Sequence, residues 1–195
     1  MNVIHLYRII NIILLILVNH ILWADDKANN KKELAIHYFM QGEFLLNQGN
    51  YALAVLEFQD ALDIDPNAST IHISIADAYR RLGRSKHAED HLQIAIDLNP
   101  EELSSREMLG HLYLINRRYK EAEKEFLILS NLDVDNNNYI VTLADLAKLQ
   151  EKWGLSIDYY LKAFDLNPQN LKALENALQV CLGAELFKRA EAICF

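Results

Sequence analysis

The phrase DIDP at residues 63–66 returns in the chain as DLNP at residues 97–100 and again at residues 165–168. The first two copies begin 34 residues apart, and the third follows after 68 residues, which is twice that interval. The skipped position falls on Val134, in the related phrase NLDV. Because a fixed interval of this length is typical of tandem structural repeats, the sequence predicts an array of similar units.

Other residue types recur at the same interval, and they are either small or large and apolar. Residues three and four positions apart share one face of a helix, so each unit is predicted to hold two amphipathic helices joined by a short turn. Small residues let the two backbones approach, and proline ends the second helix. The small columns are Gly42, Ala76, Gly110 and Ala144, and Ala54, Ala88, Ala122, Ser156 and Ala190; the large columns include Phe58, Leu92, Phe126 and Tyr160, and Tyr51, Tyr119, Trp153 and Phe187.

This period and these columns resemble the tetratricopeptide repeat family. The resemblance implies an all-α fold, a right-handed α-solenoid of antiparallel helix hairpins with about four and a half repeats. Val134 replaces proline in the third unit, and the segment DVDNNN around it (133–138) is expected to make the turn instead. The predicted repeats lie in one solenoid over residues 35–195, as four full units (35–68, 69–102, 103–136 and 137–170) and a partial unit (171–195).

The composition of the chain is that of a globular protein. Of its 195 residues, 51% are hydrophobic and 24% are charged, which is too apolar for wholesale disorder. The net charge is −8, the pI is about 5.3, and lysine and arginine form no cluster. We therefore expect no nucleic-acid partner.

Residues 1–24 differ from the rest of the chain. Arg8 precedes the apolar stretch IINIILLILV, and Ala24 suits the position before a cleavage site. A cleaved signal peptide is the favoured interpretation, with an uncleaved N-terminal membrane anchor as the alternative. Residues 25–34 are a polar lead-in. Either interpretation predicts an extracytoplasmic protein, periplasmic or secreted after cleavage, that meets a membrane only through residues 1–24.

No catalytic signature is present: the chain has no nucleophile elbow, phosphate-binding loop or HExxH motif. It is therefore predicted to be no enzyme and to need no cofactor. His87 and His91 lie one helical turn apart, a spacing that could hold a transition metal. They flank Ala88 and Leu92, which face the partner helix, so both histidines should point to solvent. Without a third ligand, no metal site is predicted.

The last unit raises two further questions. Cys181 and Cys194 occupy facing columns, so in an oxidising compartment they could form a disulfide; the alternative is two buried core thiols. The chain ends in the apolar segment RAEAICF, where a solenoid needs a polar cap. We expect a truncated product, with a self-associating end as the alternative.

In the tetratricopeptide repeat family, the first helices of successive repeats line a concave groove that binds extended peptides or partner helices. The resemblance places at this groove Phe39, Glu43, Ile73, Asp77, His111 and Asp145. The strip from Glu43 through Asp77 to Asp145 is acidic, so an apolar ligand with some positive charge is expected, and the two aspartates should be exposed. Phe39 and Glu43 replace groups of the family's Lys/Asn/Arg clamp, so chaperone-tail binding of that kind is not expected.

These features predict an extracytoplasmic scaffold or adaptor that binds a protein or peptide through a mildly acidic groove. Phe39 is the leading candidate for a residue that anchors the partner. The alternative is the N-terminal repeat portion of a longer protein whose C-terminal part carries an enzymatic or regulatory function.

Overall fold

The computed structural model describes residues 29–194, and this part of the chain contains ten α-helices and no strand. The all-α prediction is confirmed. The predicted signal or anchor lies outside the described residues, and helix α1 already includes Asn29, within the predicted lead-in. The helices are α1 (29–47), α2 (Tyr51–Ile64), α3 (Ser69–Arg81), α4 (Ser85–Leu98), α5 (Leu103–Ile115), α6 (Tyr119–Leu132), α7 (Asn137–Leu149), α8 (Trp153–Leu166), α9 (Leu171–Gly183) and α10 (Phe187–Cys194).

The chain divides into two compact units, Met1–Gly83 and Arg84–Phe195. The described part of the first unit holds α1 to α3, and that of the second holds α4 to α10. The second predicted repeat is therefore divided, with α3 in the first unit and α4 in the second.

The core of the first unit forms around the small residues of the repeat. On α2, Ala54, Phe58 and Ala61 are fully buried, and Ile75 and Ala76 are fully buried on α3. Helix α2 packs against α3. The alanines leave room for close approach, and Phe58 fills the space around it.

In the second unit, each helix contacts the next helix along the chain. One cluster of the core brings together Ala144 on α7, Ile157 and Tyr160 on α8, and Ala177 on α9. Ser156 takes the small-residue position on α8, and its buried hydroxyl donates a hydrogen bond of 2.8 Å to the carbonyl of Ala144. Ser156 is the one polar residue in its column of small residues, and this bond gives its buried hydroxyl a partner.

The turns that follow the second helices share one geometry, with or without proline. The backbone N–H of Asp65, just before Pro66, donates to the carbonyl of Ala61 at 3.0 Å. The N–H of Asp133, just before Val134, donates to Leu129 at 2.9 Å. The predicted turn at Val134 is thereby confirmed without proline. Asn137 and Asn138 already belong to α7, and the side chain of Asn136 caps that helix by accepting from the N–H of Asn138 at 3.2 Å.

The turns that follow the first helices repeat a left-handed residue every 34 positions. Glycine holds this position in the first two turns, with φ of +81° at Gly49 and +73° at Gly83. Arg117, Glu151 and Glu185 hold it in the next three, each with φ of +58°. A left-handed residue closes an α-helix by returning the following N–H to its last turn. The N–H groups that follow Gly49, Arg117, Glu151 and Glu185 do so, with bonds of 2.8–2.9 Å.

Candidate protein-binding surface

The six predicted groove residues all lie on first helices of the repeats, but they fall in both units. Phe39 and Glu43 are on α1, and Ile73 and Asp77 are on α3. His111 is on α5 and Asp145 is on α7, in the second unit. Each unit therefore presents its own part of the predicted surface.

Phe39 lines a cavity of about 450 Å³ in the first unit. The ring is half-buried and tilted against that of Phe58, with 5.8 Å between the ring centroids. The predicted anchor is therefore held in place by the core and still faces an open space. The cavity is lined by Lys31, Lys32, Ala35, Ile36, Phe39, Ile64, Asp65, Ala68, Thr70 and Ile71.

Glu43 joins the first and third helices. Its carboxylate accepts a hydrogen bond of 2.6 Å from the hydroxyl of Ser74, the residue after Ile73. This bond brings the predicted residues of α1 and α3 together within the first unit. Glu43 and Ile73 are both half-buried, so each retains some accessible surface.

Asp77 differs from the prediction that it is exposed, because only 14% of its side chain is accessible. Its carboxylate accepts from the Nε–H of Arg80 at 3.1 Å and from the Nε–H of Arg81 at 2.8 Å. The Arg81 guanidinium also lies 5.6 Å from the centroid of the Tyr51 ring. Two cations thus surround one carboxylate, and Asp77 offers no unpaired negative charge to a ligand.

His111 and Asp145 are both exposed, as predicted for Asp145. The Nε2 of His111 is 3.9 Å from a Glu107 carboxylate oxygen, and its ring meets Phe126 edge-on at 5.3 Å. Asp145 accepts a hydrogen bond from the Tyr160 hydroxyl. Burial, together with that bond to Asp145, raises the pKa of Tyr160.

A polar network in the second unit was missed by the sequence reasoning. Glu89 accepts from Arg118 at 2.9 Å and from the Tyr113 hydroxyl at 3.0 Å. Burial, followed by the bond to Glu89, raises the pKa of Tyr113 to about 12. One repeat later, Glu123 accepts from Lys152 at 2.9 Å. In both pairs the acid precedes the base by 29 residues, and the pairs lie one repeat apart. This recurring spacing could have indicated the ion pairs from the sequence.

The remaining sequence candidates give no second site. His87 is exposed and His91 is half-buried, and among residues 29–194 no group of three or more histidine, cysteine or acidic side chains could hold a metal ion. Cys181 is buried on α9. The side chain of Cys194 lies outside the described residues, so the disulfide stays a prediction.

The chain belongs to the tetratricopeptide repeat family, because the model of that family matches residues 28–69 and 73–129, about half of the chain. Over 91 residues, 47% of this chain, it is 38% identical to Protein O-mannosyl-transferase F38B6.6 of Caenorhabditis elegans, of which it covers 13%. Over 156 residues, 79% of this chain, it is 29% identical to DnaJ homolog subfamily C member 3 of Rattus norvegicus, of which it covers 31%. The chain thus spans less than a third of the length of either relative.

Solved structures share the fold. The crystal structure of YrrB, described as a TPR protein with an unusual peptide-binding site, matches with a TM-score of 0.67 at 18% identity and 87% coverage of each chain. The fold class is therefore an α-solenoid of helix hairpins. The repeats and these likenesses support a protein-interaction scaffold as the class of function. Within residues 29–194, no helix combines the length and the apolar character needed to cross a bilayer.

Proposed function

We propose that this protein is an extracytoplasmic scaffold that binds a segment of a partner protein on the first helices of its repeats. The proposal rests on the cavity beside Phe39, which is open and largely apolar. It is formed by α1, the C-terminal end of α2 and the start of α3. Ligand sites are concave surfaces of this kind, with apolar walls and a few polar groups. A repeat family that presents such surfaces for protein contacts supports the same conclusion.

The extracytoplasmic part of the proposal rests on the order of residues 1–24, in which a basic residue, an apolar stretch and Ala24 follow one another. N-terminal sequencing of the protein isolated from its source cells tests it. A mature chain that begins at Asp25 and is recovered outside the cytosol is the expected result. An intact N-terminus recovered in the cytosol would contradict it.

The binding proposal is tested by affinity capture from source-cell extract with the full chain. Ile36 lines the cavity and is 48% exposed, so Ile36→Asp should spare the fold and remove the captured partner. Ile128 on α6 is 38% exposed and lies on a second helix, so Ile128→Asp is the matched control. A partner lost from both variants, or kept by both, would contradict binding through the first helices.

A second candidate function follows from the length of the relatives. Because the chain spans only 13% and 31% of two much longer proteins, it could be the repeat portion of a longer protein with an enzymatic or regulatory part. Mapping the full transcript distinguishes the two candidates. A reading frame that continues past Phe195 into a further domain favours the second, and a stop codon directly after Phe195 favours the first.

A further inference from the structure

We propose that the cavity beside Phe39 receives a large apolar side chain of a partner peptide, and that Lys31 and Lys32 pair with acidic residues that flank it. This inference rests on the proposed scaffold function and names the chemistry of its partner. It reverses the charge that the sequence alone predicts for the ligand.

The size and walls of the cavity select the apolar part of the partner. Ligand pockets commonly measure about 300–1,000 Å³, so a space of about 450 Å³ suits one or two large side chains and is too small for a folded domain. Ala35 and Ile71 are buried at 6% and 5% exposure, while Ile36 and Phe39 remain accessible. An apolar side chain that enters the cavity would therefore bury its surface against side chains that are already in place, which favours binding.

The charges around the cavity select the flanking residues. Lys31 and Lys32 are exposed, and among the described residues neither forms an ion pair. The one carboxylate in the lining is Asp65, so the cavity carries a local excess of positive charge. A partner with acidic residues beside its apolar side chain matches that charge.

The acids that the sequence placed in the groove do not cancel this excess. Glu43 is not among the residues that line the cavity, and Asp77 is surrounded by Arg80 and Arg81. Lys31 and Lys32 precede residue 35, where the predicted repeats begin. A comparison of repeat columns therefore leaves both lysines out of the predicted surface.

A fatty acid shares the apolar and anionic chemistry, but the geometry favours a peptide. Beyond the cavity, α1 continues to Glu43 and α3 to Ile73, and both residues keep accessible surface. A peptide can extend from the cavity over this accessible side-chain surface of α1 and α3. A fatty acid could fill the cavity and pair its carboxylate with a lysine, but it would leave the surface beyond the cavity uncovered.

The test measures fluorescence anisotropy of three labelled 12-residue peptides with the full chain. The first carries Leu-Phe flanked by glutamates, the second has lysines in place of the glutamates, and the third has Ser-Ser in place of Leu-Phe. We expect the first to bind at least about tenfold more tightly than the others, with an affinity that falls as salt rises. Unlabelled laurate is added as a competitor in a parallel series.

Two charge variants locate the binding. Lys31→Glu/Lys32→Glu should weaken the glutamate-flanked peptide by at least about fivefold and should strengthen the lysine-flanked one. The matched control is Lys120→Glu/Lys162→Glu, which reverses two exposed lysines of the second unit and should change neither affinity. Circular dichroism checks that both variants keep the helical content of the parent chain.

Each of the other outcomes overturns the inference in a different way. Tighter binding of the lysine-flanked peptide, or equal affinities for both double variants, contradicts the role of Lys31 and Lys32 and leaves the scaffold function standing. Laurate that binds while no peptide does assigns the cavity to a small amphiphile. A full chain that selects no sequence from a random 12-residue phage library contradicts peptide binding altogether, and the proposed function with it.

Discussion

A Cβ atom added to Gly42 on α1 would lie 2.4 Å from Cε1 of Phe58 on α2. That distance is far below van der Waals contact, and Phe58 is fully buried, so its ring cannot move into solvent. The first hairpin therefore depends on a residue without a side chain at position 42. The same relation recurs at Gly110, whose added Cβ would lie 2.8 Å from the ring of Phe126.

Gly42→Ala is expected to lower the free energy of unfolding by about 1–3 kcal/mol, because the added methyl overpacks the contact between α1 and α2. Urea unfolding followed by circular dichroism measures the change. The control is Gly183→Ala, since nothing lies within 4 Å of a Cβ added there and its φ is not positive. That control should leave stability unchanged or raise it by up to about 1 kcal/mol. Equal losses in both variants would contradict the packing argument.

The left-handed residues of the first-helix turns give a second prediction. Non-glycine residues in this conformation cost about 1–2 kcal/mol, which the greater freedom of glycine in the unfolded chain partly offsets. Glu151→Gly, at φ +58°, should therefore raise the free energy of unfolding by about 0.5 kcal/mol. Gly49→Ala, at φ +81°, should lower it by about 1 kcal/mol. Thermal melts that show the opposite signs would refute this account of the turns.

Much of the fold was predictable because the recurring small and large residues show where neighbouring helices pack against each other. The small columns at Gly42 and Ala54 and the proline turns need only local sequence, and the structure confirms them. The surroundings of Asp77 were not predictable in the same way. The repeat columns place Asp77 in the groove but do not show that Arg80 and Arg81, three and four residues further on, turn their side chains toward it.

The buried His72 is expected to make the stability of the first unit depend on pH. Burial lowers the pKa of His72, against a smaller opposing effect of its hydrogen bond with the Pro66 carbonyl at 3.4 Å. Because the pKa in the folded chain is below the unfolded value, this contribution to stability is present above about pH 6.5 and is lost as the pH falls through the folded pKa. His72→Gln should flatten the dependence of unfolding free energy on pH as the pH falls below about 6.5. A dependence unchanged from the parent chain would rule this out.

The pair of Glu123 and Lys152 should couple two consecutive hairpins of the second unit. The Nζ atom of Lys152 lies 2.9 Å from Oε2 of Glu123, and 42% of the lysine side chain and 19% of the glutamate side chain are exposed. A double-mutant cycle with Glu123→Gln and Lys152→Met should give a coupling energy of about 0.5–1 kcal/mol. Raising the salt concentration to about 1 M should reduce it. A coupling energy of zero at low salt would show that the pair does not contribute.

The central claim is that the first helices of the repeats hold a partner protein, and site-specific photocrosslinking in the source cells tests it most directly. A benzoylphenylalanine placed at Ile36, on the cavity, should crosslink to one protein partner, and the same group at Leu127 should not. Leu127 is a fitting control because it is 38% exposed on α6, a second helix. A crosslink from Ile36 alone is the predicted result. A crosslink from Leu127 alone, or equal crosslinks from both positions, would contradict the account.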